Sequence, residues 1–257
     1  MMLAEIFGHS HVWSVRRALR EGWTHPEASI TAPICGTKEL PSGLVMTDDL
    51  GKTVLNPIVT ALLHRIIAGP ELARTWLVSM TQGNFYNQFG MVVPGAGFDF
   101  VLDSHPDLPL DDQAVLLPCG AVHEALARQM QAMATGAAML GRQPLEGRVI
   151  LIGPPPPPRD EAQIAALLAA QGGADDGVRI SAAMTRLKLW HLQNTISARI
   201  CAEAGVHYLA GDLPGVQDED GFLRPEFIKD AVHANHGHAA HLLNEIAAIM
   251  TQAGDPT

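Results

Sequence analysis

The stretch LAEIFGHSHVWSV, residues 3–15, changes character at one glycine. Residues 3–7 are a short, largely apolar run, the pattern of a buried strand. From Ser10 to Arg20 the apolar side chains of Val12, Val15 and Leu19 recur at helical spacing and share one face. Gly8, His9, Ser10 and His11 fill the short connection between them. A strand that runs almost directly into a helix is the first half of a β–α unit, and a following parallel strand needs such a crossover.

The same alternation continues along the chain. Strands are predicted at 28–34, 75–80, 148–152 and 206–209. Helices are predicted at about 54–68, 114–140, 160–170, 181–204 and 235–251. Pro57 falls near the start of its helix, where proline is tolerated. Residues 90–113 carry several Pro, Gly and Asp residues and read as a long irregular excursion. Five consecutive prolines, Pro154 to Pro158, end the fourth strand. Their position against RVILI suits a stiffened loop better than an exposed recognition helix. Five strands separated by helices predict one α/β domain over residues 1–257, with a parallel sheet covered on both faces. In such sheets sites form at the carboxyl ends of the strands. That edge gathers residues 8–11, the loop after Ile34, residues 81–87, the prolines and the segment after Leu209.

Bulk properties narrow the partners. Apolar residues make up 47% of the chain and charged residues 17%, enough for a sizeable core. The net charge of −10 and the lack of any basic run argue against nucleic acid. Cys35, Cys119 and Cys201 are widely spaced, which fits buried thiols rather than a disulfide framework or a zinc knuckle. The opening residues are too uncharged for a signal peptide, and no apolar run is long enough to span a membrane. The expected compartment is the cytoplasm.

Three fragments carry chemistry. Ser10 follows the first strand and also suits a helix cap. Asp230 and His233, in KDAVHANHGH, precede the last helix. A serine hydroxyl needs a base to become nucleophilic, and the base works best with a carboxylate holding its tautomer. The third fragment, TQGNFYN, follows the third strand. An asparagine there, Asn84 or its competitor Asn87, can donate to an oxyanion together with the Ser10 backbone N–H. His9 and His11 form an H-x-H pair that opens an alternative, a metal-dependent hydrolase. No metal and no cofactor are assigned.

With these fragments in hand, the chain resembles the SGNH (GDSL-type) hydrolase superfamily over about residues 4–250. Gly8-His9-Ser10 aligns with the family's G-D-S turn. Asn84 in Gln82-Gly83-Asn84-Phe85 aligns with the asparagine of G-x-N-D. Asp230-Ala231-Val232-His233, with Asn235 and Gly237, aligns with the final D-x-x-H block, and DGFLRPEF resembles its approach. His9, Gln82 and Phe85 depart from the pattern. The resemblance implies a flavodoxin-like three-layer α/β/α sandwich with a five-stranded parallel sheet of order 2-1-3-4-5. It implies hydrolysis of a carboxylic ester of a small molecule, glycan or lipid through an acyl-serine. Ser10 is then the nucleophile, His233 the base and Asp230 its orienter. Asn84 and a glycine N–H after the second strand, Gly36 or Gly43, complete the oxyanion site. The departures leave open a non-catalytic relative that binds a ligand or partner at the same place.

Other features have plainer expectations. Asp218, Asp220 and Gly221 fit a solvated turn better than a calcium loop. His236, His238 and His241 are expected on a polar first turn of the last helix. Lys188 and Trp190 are expected to pack, with contact to a partner or substrate as the alternative. Residues 98–101 are expected either to cover the site as a lid or to wrap the domain.

Overall fold

A computed structural model describes residues 1–36, 38–41, 43–81, 83–170 and 178–253. Gln82, one of the departures noted above, lies outside the described residues. Five parallel strands form the central sheet: β1 (Met2–Gly8), β2 (Ala28–Cys35), β3 (Thr75–Met80), β4 (Val149–Ile152) and β5 (His207–Leu209). Their spatial order is β5-β4-β3-β1-β2, which is the 2-1-3-4-5 arrangement expected. The helices are α1 (Val12–Arg20), α2 (Pro57–Ala68), α3 (Phe85–Gly90), α4 (Cys119–Gln129), α5 (Gln131–Gly141), α6 (Glu161–Ala170), α7 (Ala183–Ala204) and α8 (His236–Ala253).

Side chains on a strand alternate between faces, so each strand feeds two cores. Ile6, Trp76, Val78 and Ile150 pack with α1 and α8 on one face. Phe7, Leu77, Val149 and Leu151 pack with α2, α4, α5 and α7 on the other. Ile6 and Phe7 are both fully buried, and each such side chain stabilises the fold by roughly 1.5–3 kcal/mol. Gly8 closes β1 where its neighbour comes closest. A Cβ there would lie 2.5 Å from the Met80 carbonyl oxygen, so only glycine fits. Gly8 pairs with Cys35 on one side and Met80 on the other, which puts the β1 exit at the middle of the carboxyl edge.

The structure departs from the sequence expectations in several places. The helix expected over 114–140 is two helices meeting at Met130, and its first residues, Val115–Leu116, pair with Phe98–Asp99 instead. Two other short pairs, Val45–Thr47 with Thr53–Leu55 and Val92–Pro94 with Val178–Ile180, carry too few residues for an alternating pattern. The excursion does not form a lid from residues 98–101. Phe100 is fully buried in the core, and Asp99 makes a buried ion pair with Lys188 (2.9 and 3.0 Å). Lys188 and Trp190 are both enclosed, so neither is free to meet a partner.

All five prolines are buried. Burial of an irregular loop is costly when its N–H and C=O groups go unpaired. Proline removes the donor, and protein donors satisfy carbonyls along this loop. The Trp190 indole N–H donates to Pro154 (3.0 Å) and the Tyr86 hydroxyl to Pro155 (3.2 Å). The Leu223 N–H donates to Pro157 (3.0 Å) and the Arg186 guanidinium to Pro158 (2.8 Å). QDEDG is a turn in which the Asp218 carboxylate accepts the N–H of Asp220 and Phe222, closed from outside by Arg159. No helix among the described residues is long and apolar enough to cross a membrane.

Candidate active site

Ser10 does not cap α1. The helix starts at Val12, with His11 at the cap position and no side-chain cap bond. The Ser10 hydroxyl instead lies 2.6 Å from Nε2 of His233, across 223 residues of sequence. Nδ1 of the same ring lies 2.8 and 2.9 Å from the two carboxylate oxygens of Asp230. A carboxylate only accepts, so the Nδ1 proton faces Asp230 and the Nε2 lone pair faces the serine hydroxyl.

The loop that carries the dyad is held by the dyad itself. Asp230 Oδ1 accepts the backbone N–H of Val232 (3.0 Å) and His233 (2.9 Å). Burial would raise the Asp230 pKa, but the His233 hydrogen bond and those backbone donors outweigh it and hold it at about 2. Asn235 Oδ1 then accepts the Gly237 N–H (2.9 Å) at the start of α8. The Ser14 hydroxyl, one turn beyond Ser10 on α1, donates to the Ala234 carbonyl (2.8 Å). That bond ties α1 to the histidine loop directly beside the Ser10–His233 contact.

His11 sets its ring 4.8 Å from that of His233. Desolvation, followed by the His233 and His238 rings, pushes its pKa down to about 3, so it stays neutral there. His9 turns the other way, with Nε2 3.2 Å from the Leu40 carbonyl oxygen. The H-x-H pair therefore does not converge. Among the described residues, no group of three His, Cys, Asp or Glu is arranged to hold a metal ion.

Asn84 precedes α3, and its Nδ2 donates to the Val232 carbonyl (2.5 Å), next to His233. Asn87 lies one turn further on and is buried within α3. Gly36 is not a free donor. Its N–H bonds the Gly8 carbonyl (3.0 Å) and prolongs the β1–β2 pairing by one step. Gly43 faces His9, whose Cε1 lies 3.8 Å from the position of an added Cβ. His238, expected on a polar first turn, instead lies on the inner face of α8 and is 7% exposed. Its position two residues after the start of α8 fixes which way it points, and that start becomes visible only once Asn235 is seen to cap it.

No protein-family model matches the chain, and no curated protein does. Among solved structures, the chain is similar to the periplasmic domain of a Salmonella ser. Paratyphi A lipopolysaccharide acetyltransferase. The identity is 15% and the TM-score 0.45, over 97% of this chain and 84% of that one. It is also similar to a GDSL-like lipase from Bacteroides thetaiotaomicron, at 12% identity and a TM-score of 0.44, over 98% of this chain and 89% of that one.

Proposed function

We propose that this protein is a serine ester hydrolase that cleaves a carboxylic ester through an acyl-serine. The observation that carries the proposal is the unbroken line Ser10–His233–Asp230, with contacts of 2.6 and 2.8 Å. In the first step Ser10 Oγ attacks the ester carbonyl carbon while its proton passes to His233 Nε2. The tetrahedral intermediate collapses, and the departing alkoxide takes that proton and leaves as the alcohol. Water then attacks the acyl-serine with His233 again as base, which releases the acid and restores Ser10. Asp230 orients the ring and stabilises the imidazolium, and its depressed pKa keeps it ionised throughout. The Ser10 N–H, at the entry to α1, and Asn84 are the donors assigned to the oxyanion. An apolar hollow lined by Leu44, Val45, Phe85 and Met133 abuts the turn that carries Asn84 and suits an acyl chain.

The committed Gly36 N–H favours one competing reading, a relative that binds an ester-like ligand without turning it over. A fluorophosphonate probe separates the two. In the hydrolase it labels Ser10, Ser10→Ala abolishes the label, and p-nitrophenyl acetate is hydrolysed. Absence of both labelling and turnover in folded protein rejects the hydrolase.

A further inference from the structure

Ser14 sits on the buried face of α1 with Val15 and Ala18, where an alanine would suit the helix better. A buried polar side chain calls for a partner. A serine inside a helix commonly bonds the carbonyl four residues back or turns to water. Ser14 does neither. It is 8% exposed, and its hydroxyl donates out of the helix to the Ala234 carbonyl at 2.8 Å.

The turn that carries His233 is closed by its own bonds. The His233 carbonyl accepts the Lys229 N–H (3.0 Å), and Asp230 Oδ1 accepts the N–H groups of Val232 and His233. These bonds fix the shape of the turn but not its place relative to Ser10. Two side chains from other elements supply that. Asn84, after β3, donates to the Val232 carbonyl, and Ser14, on α1, donates to the Ala234 carbonyl. Val232 and Ala234 are the residues on either side of His233. Among the described residues no other donor reaches either carbonyl. One Asn84 amide proton is used here, and the other stays available for the oxyanion. We propose that Ser14 is a positioning residue: with Asn84 it clamps the backbone on both sides of His233 and holds Nε2 at its 2.6 Å contact with Ser10. This rests on the hydrolase reading above. Ser14 acts only through His233. It follows Ser10 by four residues, so a shift of α1 carries the nucleophile and the clamp together.

Ser14→Ala tests this in the full chain, because it removes the hydroxyl and keeps a good helix former. With p-nitrophenyl acetate, kcat should fall about tenfold with KM within about twofold, a smaller loss than the roughly 10²-fold of a 1 Å misplacement. Fluorophosphonate labelling of Ser10 should slow by a similar factor. Ser14→Thr, which restores a hydroxyl, should recover most of kcat. Wild-type kcat in folded Ser14→Ala overturns the positioning role, whatever its melting temperature. If Ser14→Ala does not fold, a Ser14→Thr kcat near wild type supports the role and a tenfold loss in it overturns the role. A second measurement needs no turnover. Hydrogen exchange of the Val232 and His233 amides should quicken about tenfold in Ser14→Ala, while amides of α5 keep their rates. Exchange at the turn that rises no more than in α5 overturns the clamp. A wild type that neither labels nor turns over ester defeats the hydrolase reading, and the exchange result still decides the clamp.

Discussion

Two loops leave central strands at the same edge of the sheet and end in opposite states. The loop after β1, residues 9–11, holds polar side chains, and two of them, Ser10 and His11, meet the histidine loop before α8. The loop after β4, residues 154–158, has no backbone donors at all and is buried, with carbonyls held by Trp190, Tyr86, Leu223 and Arg186. Position at a carboxyl edge thus supplies an opportunity, and side-chain chemistry decides whether it becomes a site or a support. Tyr86 and Trp190 tie α3 and α7 to the rigid loop.

The comparison breaks most sharply at Asp230. Asp230→Asn keeps an oxygen for the Val232 and His233 N–H groups but presents NH₂ to the ring, reversing the tautomer. Turnover should fall by about 10⁴ with little change in melting temperature; a loss below tenfold would remove Asp230 from the chemistry. On the supporting side, Lys188→Met leaves the Asp99 carboxyl buried at 1% exposure without its ammonium partner. Denaturant unfolding should show about 3–5 kcal/mol of lost stability, with Ser10 still labelled in the folded fraction. Tyr86→Phe removes the donor to the Pro155 carbonyl and should cost about 1–3 kcal/mol in the same assay. Proton uptake probes the same packing without any substitution. Burial first, and then neighbouring imidazoles, lower His238 and His191 to about 4. Both are neutral in the fold and become charged in the unfolded chain below about 6.5. Their stabilisation is therefore complete above that pH. It declines as the pH falls towards 4, by at most about 1.4 kcal/mol per pH unit for the buried His238 and by less for the partly exposed His191. A flat stability profile between pH 6.5 and 4.5 would mean that these rings are protonated in the fold.

The sheet was legible because its strands are compact apolar runs bounded by Gly, Pro and charged residues, and runs such as TWLVSM and RVILI admit few alternatives. The α4–α5 junction was not, because Met130 stands in an Ala- and Met-rich stretch with no breaker, and its conformation comes from packing into the core. The Asp99–Lys188 pair was invisible for another reason. The two residues are 89 positions apart, and a lone Lys on a helix carries no mark of where its charge will be met. At the site, Ser10, Asp230 and His233 stood out by residue type and spacing. The commitment of the Gly36 N–H did not, since a backbone amide leaves no trace in side-chain identity. His238 was hidden among its neighbours in HANHGHAAH, where four histidines within nine residues look alike until the helix phase is known.

The bond between Ser14 and Ala234 joins residues separated by 220 positions, immediately beside the serine–histidine contact. During synthesis Ser10 is made before His233 and Ala234, with every later strand of the sheet made between them. However much of the sheet has formed, Ser10 therefore has no His233 to meet until the segment before α8 has been made.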